Sequence, residues 1–245
     1  MPERNHAEFS PQVAARLAGL LYLIVIVAGA IAEIFVRQRL VVANDAQATA
    51  GNILAHEQLF RWGFVADLVA GLCVIPLIML LFELLKVVSR RLALVALFFS
   101  LVGTAVQSTA LLGHFAPLIL LKRGVALGVG QELLQAQTYM ALQLQGIGYA
   151  VALVFFGGTM VTRGYLVIRS SFLPRAIGML LMAAGVCYIT NSFVDFVAPA
   201  IAGYAMALLI VPGIAESSLC LWLLVKGVNV ARWQEQQAGE EATLR

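Results

Sequence analysis

The sequence predicts an all-α polytopic membrane protein, a bundle of six transmembrane helices. The chain of 245 residues is 61% hydrophobic and only 12% charged, whereas soluble domains average roughly 45–50% apolar and 25% charged residues. Its apolar residues fall into near-continuous runs, unlike the alternating segments of an outer-membrane barrel. Six runs are long enough to cross a bilayer core of about 30 Å, namely residues 13–36, 59–85, 92–121, 140–162, 175–197 and 200–225.

The runs divide the chain into three parts. Residues 1–12 form a polar cytoplasmic lead, residues 13–227 the six-helix transmembrane domain, and residues 228–245 a charged cytoplasmic tail that we expect to be frayed. The first run is longer than the apolar core of about 7–15 residues that is typical of a signal peptide. We therefore expect it to remain in the protein as the first helix.

The basic residues predict the orientation of the bundle. If the amino terminus lies inside the cell, the inner side holds more arginine and lysine than the outer side, so the positive-inside rule places both termini in the cytoplasm. These residues sit at the ends of runs and form no single patch, so no nucleic-acid partner is expected. The inner set is Arg4, Arg16, Lys86, Arg90, Arg91, Arg163, Arg169, Arg175, Lys226, Arg232 and Arg245, and the outer set is Arg37, Arg39, Arg61, Lys122 and Arg123.

Three of the five connections between the runs have distinctive sequences. The outer connection at residues 37–58 contains a surface helix at 43–57, with Asn44 or Asp45 as its N-cap. Residues 122–138 form a glycine-rich outer connection, and Pro117 is expected to end the helix before it. The basic inner loop carries Arg163, Arg169 and Arg175.

The cysteines and histidines indicate no cofactor and no metal site. Cys73, Cys187 and Cys220 all lie inside apolar runs, where a free cysteine behaves as a small buried hydrophobe. The histidines are scattered and lack metal-ligand spacing. The expected partners are the lipid bilayer and a small or amphipathic ligand, and the pattern indicates no particular oligomeric state.

Several helix-end patterns occur together in this chain. They are RLAGLLYL at residues 16–23, LPRAIG at 173–178, AGVCY at 184–188, and Glu216 followed by LWLLVKG at 221–227. In combination they resemble a widespread bacterial integral-membrane family that is catalogued only as a domain of unknown function. The resemblance extends from about residue 13 to residue 227. It implies a multi-pass protein of the bacterial inner membrane and supplies no activity, cofactor or catalytic residue.

Polar residues inside the runs mark a candidate ligand site. At a rise of about 1.5 Å per residue, Asp67, Gln107, His114, Asn191 and Asp195 fall in the outer half of the bundle. A charged side chain at the bilayer centre costs about 2.5–3.5 kcal/mol, so such residues usually face the bundle interior. The sequence therefore predicts a polar cavity open to the outer face, in which Asp67 and Asp195 are acids and His114 is a titratable partner. Asn191 and Asp195, four residues apart, share one helix face.

Glu216 is a secondary candidate near the membrane midplane, roughly 15 Å from the inner end of the last run. It follows Pro212 and Gly213, and a helix broken there would turn it toward a cavity, as transporters do. The alternative for all six polar residues is structural. They would then form interhelical hydrogen bonds, worth on average about 0.6 kcal/mol each, or hold a paired or protonated carboxyl.

Three functions remain open at this point. The leading hypothesis is a binding or transport-like module that takes a small or amphipathic ligand into the outer cavity. The second is a structural or assembly subunit whose polar residues only lock helices together. The third is a membrane-embedded enzyme with Asp67, His114 and Asp195 as acid and base, although no Gly-x-Ser-x-Gly motif supports a nucleophile.

Overall fold

The computed structural model describes residues 10–243, and most of the polar lead lies outside the described residues. Within them the chain is helical with no strands, which confirms the predicted fold class. Six helices are long and apolar enough to cross a membrane. The eight helices of the described part are α1 Pro11–Leu40, α2 Ala46–Ala55, α3 Glu57–Leu85, α4 Arg90–Ala126, α5 Gln131–Arg169, α6 Arg175–Val197, α7 Pro199–Val225 and α8 Val230–Thr243.

Helix α1 is longer than the first apolar run. It begins with Pro11 in its first turn, where a missing backbone N–H costs nothing, and it continues through a π-helical segment at Ile31–Arg37. The expectation that the outer connection starts at Arg37 is therefore wrong, because Arg37 lies inside helical structure. Short π segments occur often at functional sites.

The surface helix predicted at 43–57 is confirmed as α2. The Asp45 side chain accepts a hydrogen bond from the Ala48 backbone N–H at 2.7 Å, so Asp45 is the N-cap. Ile53 of α2 is buried with Leu40, Phe60 and Leu134 in one apolar cluster. Helix α2 thus covers one end of the bundle, which we call the α2 end.

The opposite end is covered by α8, where a frayed tail is expected from the sequence. Trp233 is buried there, and its indole N–H donates to the Leu84 carbonyl at 2.9 Å. Gln12, at the start of α1, clamps the end of α7 by accepting from the Val228 N–H and donating to the Lys226 carbonyl. Up to Thr243 the expectation of fraying is wrong, because an indole anchors the helix. We call this side the α8 end.

The connections at 122–138 and 163–175 are much shorter than expected. Helix α4 passes Pro117 and ends at Ala126, and the turn to α5 contains Gly128 with a φ of +75°. Gly124 has no Cβ, so the Leu134 side chain packs directly on its backbone and holds both helices together up to this turn. At the other end α5 continues to Arg169, so Arg163 is helical and buried rather than part of an inner loop.

Four glycines bring α5 and α6 into direct backbone contact. A Cβ added to Gly164 would lie 2.6 Å from the Gly178 carbonyl oxygen, and one added to Gly185 would lie 2.6 Å from the Gly157 carbonyl oxygen. The two pairs repeat at the same seven-residue interval on both helices. Small residues allow helices in membranes to approach closely. This contact fixes the rotation of α5 and therefore the direction in which Arg163 points.

Helix α7 begins irregularly and becomes regular earlier than predicted. Its first part alternates between short 3-10 and α-helical segments, and regular α-helix starts at Ile210. The helix is not broken at Pro212 and Gly213, the position that the sequence analysis considers for a break. Pro212 lies in the first turn of the regular helix, where its missing N–H needs no carbonyl partner.

Candidate functional site

A cavity of about 300 Å³ lies inside the bundle, and all six membrane-crossing helices contribute to its wall. Its polar lining begins with Asp67 and Gln107 toward the α2 end and reaches Ser100 and Arg163 toward the α8 end. Along α4 the lining from Ser100 to Leu111 extends about 16 Å, at a rise of about 1.5 Å per residue. The cavity therefore covers about half of a bilayer core of about 30 Å.

At the α2 end, one arginine forms ion pairs with two carboxylates. Arg37 Nη1 lies 2.6 Å from Asp67 Oδ2, and Arg37 Nε lies 2.6 Å from Glu33 Oε2. Asp67 is only 7% exposed. The expected pairing of Asp67 with His114 is replaced by an ion pair with Arg37, which joins α1 to α3.

The middle of the cavity holds Glu216 and two tyrosines. The Tyr188 hydroxyl donates to Glu216 Oε1 at 2.8 Å, which joins α6 to α7. The Tyr22 hydroxyl lies near the same carboxylate without reaching hydrogen-bond geometry, and it has no partner among the described residues. Glu216 is therefore held by a tyrosine of the neighbouring helix, and the buried Tyr22 hydroxyl lies beside it.

Toward the α8 end, the cavity wall contains Arg163. Arg163 is 5% exposed, and its guanidinium donates one hydrogen bond to Ser100 Oγ at 3.4 Å. Ser100 in turn donates to the Thr159 hydroxyl, and Thr159 donates to the Phe155 carbonyl. Among residues 10–239, whose side chains the structure describes, Arg163 has no carboxylate within the 4.0 Å of an ion pair.

Three of the residues predicted for the outer cavity lie elsewhere. His114 is fully buried, stacks on the Phe60 ring at 4.3 Å and approaches the Phe60 carbonyl with Nε2 at 3.1 Å. Asn191 donates to Asp195 at 3.3 Å along one face of α6, the face that the sequence predicts, but neither residue lines the cavity. These polar groups are separated from the cavity because each finds a partner within the protein.

The structure instead joins residues that the sequence assigns to two sites. Asp67, Gln107 and Glu216 line the same cavity, although Glu216 is expected to stand apart near the midplane. Arg163 is the main residue missing from the sequence-based prediction. The sequence does contain an indication that Arg163 lies inside a helix. The apolar residues Tyr165 to Ile168 follow it, and Thr159 lies one helical turn before it. No group of His, Cys, Asp and Glu suited to a metal occurs in the described part.

Six membrane-crossing helices around a polar cavity define a multi-pass membrane protein with a candidate internal binding site. The family model described as "Domain of unknown function (DUF4386)" matches residues 17–227, so the chain belongs to this family. This match confirms the resemblance given by the helix-end patterns. Comparisons with curated proteins and with solved structures find no match.

The patterns that carry the resemblance occupy packing and cavity positions. Gly19 lies against the backbone of Leu224, where an added Cβ would approach the Leu224 nitrogen to 2.6 Å. Gly178 and Gly185 form the backbone contact with α5. Glu216 lies in the cavity wall. The shared patterns therefore describe how α1, α6 and α7 assemble around the cavity.

Proposed function

We propose that the protein binds a small or amphipathic molecule in the central cavity, as a ligand-binding or transport-like module of the membrane. The observation that supports this most directly is the cavity itself. Its volume of about 300 Å³ stands at the lower end of the range of about 300–1,000 Å³ found for small-molecule pockets. Such pockets are mostly apolar and carry a few placed polar groups, and this lining has the same character.

The distribution of polar and apolar residues favours an amphipathic occupant. Buried charges in a membrane are costly and usually face a cavity or a partner. Arg163, Glu216 and Asp67 supply charge at separate points of the wall. Apolar side chains fill the space between them, among them Val74, Leu77, Leu111, Leu153, Phe156 and Met160.

We propose further that the α8 end is cytoplasmic and that the cavity is reached from the α2 end. The α8 end retains an excess of basic residues after the buried Arg163 is removed from the count. At the α2 end, Arg37, Arg61 and Lys122 are all paired with acids. Together with the family resemblance, this asymmetry supports placement in a bacterial inner membrane with both termini inside.

Cysteine labelling tests this orientation. The three native cysteines are replaced by alanine, and Arg39→Cys and Arg175→Cys are introduced separately at exposed positions near opposite ends. A membrane-impermeant maleimide should label position 39 in intact cells and reach position 175 only after lysis. The reverse pattern would contradict the proposed topology.

A cavity-filling substitution tests the binding function. A Cβ at Gly71 would meet nothing closer than Ser108 Oγ at 3.9 Å, so Gly71→Leu directs its side chain into the cavity without a backbone clash. Gly146→Leu is the matched control, because Gly146 also has open space around it but does not line the cavity. Both variants should elute from gel filtration as the unchanged protein does.

Native mass spectrometry of the protein released from nanodiscs provides the readout. We expect a bound small molecule on the unchanged protein and on Gly146→Leu, and its loss from Gly71→Leu. Equal occupancy in Gly71→Leu would show that the molecule binds elsewhere. The absence of any occupant from all three proteins would favour the structural or assembly function.

A further inference from the structure

The guanidinium of Arg163 has more donors than the protein uses. Arginine carries five N–H donors in a planar fork that matches a carboxylate or a phosphate. The hydrogen bond to Ser100, at 3.4 Å, is long for an N–H···O bond, which is usually 2.7–3.2 Å. A buried charge with so few direct partners is costly, so an acceptor inside the cavity would stabilise it.

The neighbouring hydroxyls do not supply that partner. Ser100 and Thr159 donate their protons along the path to the Phe155 carbonyl, and Thr104 donates to the Ser100 carbonyl. Each of these groups is satisfied within α4 and α5. The Arg163 donors therefore remain available to the cavity.

The carboxylates of the cavity do not neutralise Arg163 directly either. Asp67 is bound by Arg37 at the opposite end. Glu216 accepts from Tyr188 and forms no ion pair with Arg163 within 4.0 Å. Tyr22 is 3% exposed and lies within electrostatic range of Arg163, but its hydroxyl is buried beside Glu216. The Arg163 guanidinium therefore lies in the cavity wall without a full set of acceptors.

We infer that the molecule bound in the cavity carries an anionic group, a carboxylate or a phosphate, that binds Arg163 while its apolar part lies along the wall toward Leu153 and Phe156. This inference rests on the proposed binding function.

Probes that differ only in their head group test this inference. The protein in phosphatidylcholine nanodiscs is equilibrated with radiolabelled decanoate, decyl phosphate, decanol or decyltrimethylammonium, and binding to empty nanodiscs is subtracted. A charge-assisted hydrogen bond contributes enough for about a 10-fold difference in affinity. We expect decanoate or decyl phosphate to bind at least about 10-fold more tightly than decanol.

Variants assign this preference to Arg163. Arg163→Gln should reduce the affinity for the anionic probe to that for decanol, while Arg163→Lys keeps part of the preference as a point charge. Arg169→Gln is the matched control, since it removes the same charge from an exposed position six residues along α5. Acetate and inorganic phosphate, added as competitors, should displace the anionic probe only if free anions are the natural source of the group.

The outcomes separate this inference from the binding function. If decanol or the cationic probe binds to the unchanged protein as tightly as the anions, and Gly71→Leu blocks that binding, only the anionic assignment is overturned. A preference for anions that survives in Arg163→Gln also overturns it. If Gly71→Leu leaves the binding of every probe unchanged, the binding function itself fails.

Discussion

An arginine near each end of the cavity is bound by the protein in a different way. Arg37, at the α2 end, is held between Glu33 and Asp67 at 2.6 Å from each. Arg163, toward the α8 end, contacts only a serine hydroxyl at 3.4 Å. The first arginine is saturated by the protein, as expected of a structural link. The second is left with free donors, as expected of a group that awaits a ligand.

The largest expected effect on stability comes from removing the ion pair at the α2 end. Arg37→Gln leaves Asp67 buried without its cation, and removal of one partner of a buried ion pair typically costs about 3–5 kcal/mol. We expect a loss of that size in the free energy of unfolding, measured by SDS titration in mixed micelles. Ligand occupancy should be retained in the fraction that remains folded.

Two further variants control this measurement. Arg39→Gln removes an exposed charge two residues away and should change the unfolding free energy little. Arg37→Gln combined with Asp67→Asn removes both charges and should recover most of the stability. If Arg37→Gln is as stable as Arg39→Gln, the ion pair is not a structural link.

A pair of tyrosines tests the middle of the cavity with the next largest effect. Tyr188→Phe removes the hydrogen bond to Glu216, and a bond to an ionisable acceptor contributes about 1–3 kcal/mol. Tyr22→Phe removes a buried hydroxyl that has no partner at hydrogen-bond geometry, so it should lower the unfolding free energy less than Tyr188→Phe does. Equal losses of stability in both variants would place Tyr22 in the structural network with Tyr188.

His114 tests whether the α2 end also belongs to the ligand site. His114→Phe keeps the stack on Phe60 but loses the contact with the Phe60 carbonyl, so we expect a loss of about 0.5–1.5 kcal/mol in the unfolding free energy. Probe affinity in nanodiscs should remain within twofold, about the error of such measurements, because His114 does not line the cavity. A clear loss of probe binding would show that His114 contributes to the ligand site.

The inward direction of some polar residues could be predicted from the sequence, but their grouping could not. Asp67, Gln107 and Glu216 lie within apolar runs, and a polar group in lipid must turn toward the bundle. The same reasoning applies to His114 and Asn191, which are also buried. The depth of a residue in the membrane does not reveal which part of the bundle interior its side chain contacts. The sequence therefore cannot distinguish residues that line the cavity from His114 and Asn191, which pack against other parts of the protein.

The positions of Arg37 and Arg163 inside helices could not be predicted from the apolar runs, and the physical reason is the same for both. A run ends at its first charge, so hydropathy places Arg37 and Arg163 in connections. In the structure both arginines lie inside helices, because Arg37 pairs with a carboxylate and Arg163 lies in the cavity wall. The glycine contact of α5 with α6 also has a sequence signal, but it lies at seven-residue spacing rather than the shorter spacing of small-residue dimer motifs.

The smallest expected effect on stability is the sharpest test of the contrast between the two arginines. Arg163→Gln loses one long hydrogen bond and no ion pair, so we expect the unfolding free energy of the empty protein to fall by less than about 1 kcal/mol. The same SDS titration as for Arg37→Gln makes the two values directly comparable. Adding the anionic probe should then stabilise the unchanged protein and not Arg163→Gln, because only a molecule that binds the folded state raises its stability. A loss as large as that of Arg37→Gln without any probe would show that Arg163 is instead held by the protein itself, through groups such as a water-bridged Glu216.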